Sequence, residues 1–206
     1  MSAAALGLLA SYLLGAIPTS HLVSRTFANI DLRQHGSGNL GATNLYRVLG
    51  WKYAIPVALF DIAKGVIPVV WFAPQVSRSE LYALACGVAA ILGHVLSVFV
   101  HFKGGKGVAT AAGVMLGMTP LALATAATVW ALVLLLTGYV SLASIAAAAV
   151  LPLAVYLLEQ PTSPELFWVV VLVAVGVIVL HRRNIQRLLK GTESRFGRRA
   201  ASTPRP

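Results

Sequence analysis

Acidic residues are scarce: six among 206, with only 11% of the chain charged, where a soluble domain carries roughly a quarter. No extended hydrated surface can be built from such a composition. Cysteine is scarcer still, because Cys86 stands alone inside an apolar run. A disulfide framework and a paired-thiolate metal site are thereby excluded, and packing is its expected role. No cluster of His, Asp and Glu suggests a metal ion, and neither a metal nor a cofactor is expected. The first 24 residues carry no charged side chain, whereas a secretory signal opens with a basic segment. The run Ala3 to Val23 is therefore read as a retained helix. What is abundant is hydrophobic: 58% of residues, with a mean hydropathy of +0.80. These values describe a multi-spanning membrane protein. Sixteen Lys and Arg give a net charge of +10, but they flank apolar runs. Orientation in a membrane accounts for them, and no nucleic-acid partner is expected.

Further apolar segments fall at Tyr53 to Phe72, Leu81 to Val100, Val108 to Met118, Leu121 to Gly138, Tyr139 to Leu158 and Leu166 to Leu180. The segment from Val108 has 11 residues, fewer than a hydrocarbon core of about 30 Å requires at about 1.5 Å per residue. Basic residues decide whether it crosses. Arg25, Arg33, Arg47 and Lys52 lie in one loop, Lys103 and Lys106 in another, and eight Arg and Lys follow His181. All three groups share one face only if seven segments cross, which predicts an all-α protein of seven transmembrane helices, amino terminus outside and carboxyl terminus cytoplasmic, with a short fourth helix. Residues 1–193 form one membrane domain, and residues 194–206 are expected to be a disordered basic cytoplasmic tail, able to touch anionic headgroups. A short span leaves the preceding loop below the membrane surface, where irregular backbone survives only if it lines a cavity or is buried in protein.

That loop reads FKGGKGVAT from Phe102 to Thr110. Gly104, Gly105 and Gly107 free the backbone to turn inward, Lys106 supplies a point charge, and a helix starting near Val108 presents its positive end. The pattern suits an anion, a phosphate above all, with Thr110 a further ligand; a plain basic loop between spans accounts for the lysines alone. It is not a Walker A loop, because Lys106 is followed by Gly107 rather than a hydroxyl residue. A second polar stretch, Gly36-Ser37-Gly38-Asn39-Leu40-Gly41-Ala42-Thr43-Asn44 with Arg47, satisfies G-x-G-x-x-G. No strand precedes it, so the dinucleotide reading fails and a phosphate-binding turn or a purely structural turn remains. A third begins at His181 and runs HRRNIQRLLKGTE to Glu193; His181 and Asn184 share a helical face, while Arg182 and Arg183 suit a stop-transfer cluster. Ser144, at the junction of two spans, is either a small packing residue or a secondary site candidate. Asp61 and Lys64 lie at i, i+3 within a span and neutralise each other, as structural glue or as functional charges; His94 is read as a hydrogen-bonded packing residue.

Together these three stretches resemble the signature motifs of the acyl-phosphate-dependent glycerol-3-phosphate acyltransferase (PlsY) family of bacteria, over nearly the whole chain. The resemblance implies transfer of a fatty acyl group from acyl phosphate to the 1-hydroxyl of glycerol 3-phosphate, giving lysophosphatidic acid and phosphate, by a multi-pass enzyme of the bacterial inner membrane with its site on the cytoplasmic side. It implies Ser37, Arg47, Lys106, His181 and Asn184 as catalytic residues. Gly38, Asn39, Gly41, Asn44, Gly104 and Gly105 would shape the phosphate sites, and Ser144 would contact substrate. The residues fit independently: two phosphate-bearing substrates call for glycine turns and cations, and an acyl chain calls for an apolar groove. The H-x4-D pair of other glycerolipid acyltransferases is absent, since Thr26, Leu40, Phe99, Lys106 and Gln186 stand five residues after the histidines. Direct attack without an acyl-enzyme is expected, in a monomer surrounded by membrane lipid. The rival readings are a transporter, which needs more polar residues across the bilayer than Asp61, Lys64 and His94, and a lipid-binding scaffold, which leaves three motifs without a role.

Overall fold

Proline and glycine cut the apolar runs into helices where their backbone chemistry dictates. The structure is a computed structural model describing residues 1–159 and 164–197, and every regular element among these residues is helical. The first run breaks at Ile17-Pro18 into α1 (Ala3–Ala16) and α2 (Thr19–Ala28), rather than forming the one continuous helix expected. Proline lacks an amide hydrogen and drives the preceding residue out of the helical region; Ile17 accordingly sits at φ −57°, ψ 113°. The carbonyls released are satisfied from neighbouring elements: Lys64 Nζ donates to Ile17 O at 2.9 Å, and Ser97 Oγ donates to Ala16 O. Lys64 is in turn paired with Asp61 at 2.7 Å, which also accepts from Thr19 Oγ1 at 3.3 Å. The buried ion pair therefore braces a broken span, which supports the glue reading of that pair.

After a loop come α3 (Ala42–Leu49) and α4 (Trp51–Ile67), which Pro68 extends through a wide turn to Gln75. Then follow α5 (Glu80–Val95), the 11-residue α6 (Val108–Met118), α7 (Pro120–Thr137), α8 (Val140–Leu158), α9 (Pro164–Leu180) and α10 (Arg182–Leu189). Among the described residues five segments are long and apolar enough to cross a membrane: Ala3–Ala28, Trp51–Gln75, Glu80–Val100, Pro120–Thr137 and Val140–Leu158. A sixth arises only if α9 and α10, bent by 53° from each other, are taken as one span, and α6 is a shorter apolar helix with the bounds expected from sequence. Large apolar side chains such as Leu135, Leu136, Trp168 and Leu172 face outward, as a lipid-exposed surface requires.

Small residues set the closest helix pairs. On α4 and α6, a Cβ on Gly65 would overlap the Thr110 carbonyl, and one on Gly113 would overlap the Ile62 carbonyl. Gly15 and Gly93 play the same part between α1 and α5, against Ala90 and Tyr12. A core of Leu84, Val114, Met115, Leu151, Leu166 and Val170 joins α5, α6, α8 and α9. At the start of the expected tail Phe196 N donates to Gly138 O at 2.7 Å, and the Phe196 ring stacks on Tyr46 at 4.7 Å. Residues 198–206 of the expected tail lie outside the described residues.

The α4–α6 contact yields a stability test. Gly65→Ala should lower the thermal unfolding midpoint in detergent, by an overpacking cost of about 1–3 kcal/mol. Gly176→Ala on α9, where a Cβ meets nothing within 4 Å, should leave it unchanged or raise it. Equal midpoints for the two variants would mean that the helices are not held at this spacing.

Candidate active site

Four helices begin at one place. The first turns of α3, α6, α8 and α10 border a single cavity of about 500 Å³, with Ala42, Val108, Val140 and His181 on its wall. The residues preceding the helices, Gly41, Gly107, Tyr139 and His181, offer no side-chain cap to the first-turn amides. The first amides of a helix carry roughly half a positive charge and otherwise need a partner. Gly107, at φ 77°, supplies the left-handed turn that starts α6 next to Lys106. From this polar end the cavity continues between α6, α7, α8 and α9. Its walls there carry Ala112, Ala127, Ala147 and Ala174, whose small side chains leave an apolar slot, together with the larger Met115 and Leu151. Val140 to Leu151 spans about 16 Å along α8.

The polar end is tied together by Glu193. Its carboxylate accepts from Ser141 Oγ at 2.8 Å, Asn184 Nδ2 at 2.7 Å and Arg187 Nε at 2.6 Å. Asn184 Oδ1 accepts in turn from Lys106 Nζ. Burial works to raise the Glu193 carboxyl, but the three hydrogen bonds outweigh it and hold the group below its ordinary value, ionised. Burial lowers the Lys106 ammonium to about 8; Glu193 opposes the shift, while Arg187 and Arg47 add to it. Burial likewise lowers Arg47, which donates to Ser194 O at 3.2 Å and whose buried Nε has no partner among the described residues. Arg47 and Lys106 on the cavity wall and Arg187 behind it thus surround one carboxylate, Glu193, an excess of positive charge at the polar end of an apolar slot. His181 Nδ1 lies 2.8 Å from Val177 O. A carbonyl only accepts, so Nδ1 carries the proton and Nε2 is left as a lone pair.

All five residues expected to be catalytic, Ser37, Arg47, Lys106, His181 and Asn184, line this cavity, as do Asn39, Gly41, Asn44 and Ser144. Gly38, Gly104, Gly105 and Thr110 do not. The amides of Gly104 and Gly105 donate to Val95 O and His94 O at 3.0 and 3.1 Å, closing the carboxyl end of α5. These glycines are needed because a Cβ on either would strike His94. They seat the lysine loop on α5 rather than present amides to an anion. Thr110 is fully buried, with its hydroxyl unpartnered among the described residues. Asn44 is a loop organiser: Oδ1 accepts from Ser37 N at 2.8 Å, and Nδ2 reaches the carbonyls of Leu32, His35 and Asn39 at 3.3, 3.0 and 3.0 Å. Ser144 Oγ donates to Val140 O at 2.9 Å and accepts from Trp130 Nε1 at 3.2 Å.

Sequence reasoning left out Glu193, Ser141 and Trp130. The signal for Glu193 was its place as the one carboxylate after His181, a lone acid in a basic segment. Asp61 and His94, treated as interior residues of the spans, also reach the cavity wall.

A family model described as glycerol-3-phosphate acyltransferase matches residues 5–191. The glycerol-3-phosphate acyltransferase of Trichlorobacter lovleyi is 47% identical over 196 residues, covering 95% of this chain and 99% of that protein. The protein of the same description from Geobacter sulfurreducens is 46% identical over 186 residues, covering 90% and 94%. Among solved structures, the crystal structure of PlsY, an integral membrane glycerol 3-phosphate acyltransferase, in its glycerol 3-phosphate form is similar with a TM-score of 0.88 at 38% identity, covering 95% of this chain and 96% of that one. Its lysophosphatidic acid form gives 0.85 at 37% identity, with the same coverage.

The role of Asn44 is testable without substrate. Asn44→Asp replaces a donor facing three carbonyls by a carboxylate, and should cost about 2–4 kcal/mol, read as a lowered unfolding midpoint in detergent. A wild-type midpoint would show that the loop does not depend on this amide.

Proposed function

The chain belongs to the glycerol-3-phosphate acyltransferase family, and on that premise we propose that its cavity is where an acyl group passes from acyl phosphate to the 1-hydroxyl of glycerol 3-phosphate. The product of the activity is lysophosphatidic acid, the first intermediate of phospholipid synthesis. One observation carries the assignment to this cavity: four uncapped helix starts, with Arg47 and Lys106, meet an alanine-lined slot at the polar end. Phosphates belong at the first and an acyl chain in the second.

In this reading the 1-hydroxyl oxygen attacks the acyl carbonyl carbon, the bond from that carbon to the phosphate oxygen breaks, and phosphate leaves with the electron pair. The hydroxyl proton passes to Nε2 of His181, whose lone pair the Nδ1 contact with Val177 leaves available. Acyl phosphate already has a good leaving group, so the protein chiefly aligns the reactants and stabilises charge moving onto phosphate. Lys106 and Arg47 serve that end, Asn184 holds Lys106, and Ser37 and Asn39 supply hydrogen bonds on the α3 side. Transfer is direct. Ser37 Oγ hydrogen-bonds to no base among the described residues, and Cys86 is fully buried away from the cavity wall. The site is assembled within one chain, which supports a monomer as the active unit.

Phosphate release from acyl phosphate and glycerol 3-phosphate, measured with purified protein in lipid, tests this reading. Lys106→Ala should lose about 10²–10³ in rate. For wild type, kcat/KM should fall as pH rises through about 8, where the free enzyme's Lys106 loses its proton. Only the protonated form stabilises phosphate, so the decline lies on the alkaline side. The kcat limb should lie at higher pH, because bound phosphate favours the ammonium. Full activity of Lys106→Ala would remove the site from this cavity.

We further propose seven crossings, with α6 as the short one, the amino terminus outside, and the site on the cytoplasmic side of the bacterial inner membrane. The placing of Arg47 and Lys106 at one end of the cavity, with Arg187 paired to Glu193 behind them, supports this, by the bias of basic residues to the cytoplasmic face. In a Cys86→Ser background, Ser2→Cys should react with an impermeant maleimide in intact cells. Lys103→Cys and Lys190→Cys should react only after permeabilisation. The reverse pattern would invert the topology.

A further inference from the structure

Small side chains give way to large ones along the apolar slot. Helices α6 and α8 start at the polar end, while α7 and α9 run back toward it. The hydrogen bond from Trp130 Nε1 to Ser144 Oγ, at 3.2 Å, fixes the register of the antiparallel pair α7 and α8. Two turns further from the polar end on both helices, Leu123 and Leu151 therefore reach one level, and one turn nearer to it Ala127 and Ala147 reach another. All four line the cavity, as do Ala112 on α6 and, deeper on the same helix, Met115. Each of these three helices thus carries alanine above and a long side chain below. The next inward residues, Val155 on α8 and Val170 on α9, are fully buried in the bundle core that Met115 and Leu151 also enter. The slot ends on a packed floor.

We infer that Leu123 and Leu151, with Met115, set the length of acyl chain that the enzyme transfers best. This rests on the cavity's being the active site, as proposed above. The donor arrives from lipid, whose tails are as apolar as the slot, so hydrophobic transfer does not discriminate among chain lengths. Packing does. An extended chain advances about 1.2 Å per bond, and the slot runs about 16 Å beside α8 from Val140 to Leu151, room for about 13 carbons. A shorter chain leaves apolar space without contacts, which forfeits dispersion attraction. A longer one must bend, or push Leu123 and Leu151 out of their rotamers, at an overpacking cost. The floor lies two turns below the polar groups and meets the methyl end of the chain rather than the reacting atoms. Its residues are therefore specificity determinants and not catalytic ones.

The test is kcat/KM for a series of saturated acyl phosphates, from about 10 to about 18 carbons, with glycerol 3-phosphate as acceptor and the protein in lipid. Wild type should peak near about 14 carbons and fall by about 5- to 100-fold at about 18, the equivalent of an overpacked core. Ala147→Leu sets a large side chain one turn above Leu151 and should move the peak about four carbons shorter. Leu123→Ala opens the floor and should move it about two carbons longer. Leu123 is only partly buried against the core, so its truncation spares the fold. The two shifts have opposite signs, and if one variant does not fold the other decides alone. Equal loss at every length, the result of a purely packing role, would overturn the inference, as would a wild type with one rate across the series. Failure of the cavity assignment reads differently: Lys106→Ala would then keep its activity at every chain length.

Discussion

The Lys106 ammonium, the Asn184 carboxamide and the Glu193 carboxylate form one chain of hydrogen bonds, and the polar end of the molecule depends on it. Each link joins elements distant in sequence. Lys106 belongs to the loop before α6, Asn184 to the first turn of α10, and Glu193 reaches Ser141 at the start of α8. Remove the carboxylate, and Arg47, Lys106, Arg187 and four positive helix ends would be left at the edge of an apolar slab without this counter-charge. Glu193 makes the unliganded arrangement tolerable. It leaves the excess positive charge of Arg47 and Lys106 for a substrate.

The same economy governs the interior. A membrane protein has no water with which to satisfy a broken helix, so every interruption needs a partner supplied by a neighbouring element. The Pro18 break takes Lys64 and Ser97; the end of α5 takes Gly104 and Gly105; the loop before α3 takes Asn44. These interruptions make the pocket possible. A continuous first span and a full-length α6 would fill the bundle with side chains from end to end. Shortening α6 to 11 residues leaves room for the lysine loop to sit within the bundle, and the glycine contacts between α4 and α6 hold the helix start in place.

Much of this was legible in the chain. The bounds of α6 follow from composition, Thr119-Pro120 and the glycine loop before it, because apolar length and proline act locally. The gathering of Ser37, Arg47, Lys106, His181 and Asn184 was permitted by the common compartment of three polar motifs and implied by the family resemblance, not dictated by spacing along the chain. The glycines of the lysine loop were misleading. Their freedom to turn inward is real, but their amides are consumed by α5, and the need for glycine is the closeness of His94. Asn44 carried a similar ambiguity: a polar side chain in a glycine loop can face a ligand or its own backbone, and here it organises the backbone.

Sequence by itself determined that the chain is a helical membrane protein, where the short α6 starts and stops, and which residue types are available for phosphate. Hydropathy, proline and glycine act over a few residues and need no knowledge of the partner helix. Tertiary structure alone decided that Glu193 is the counter-charge of the site, that Asp61 and Lys64 brace a break some 40 residues away, and that four helices start around one cavity. Those outcomes depend on which carbonyls and cations come within about 3 Å of one another across the bundle, a distance set by packing rather than by spacing along the chain.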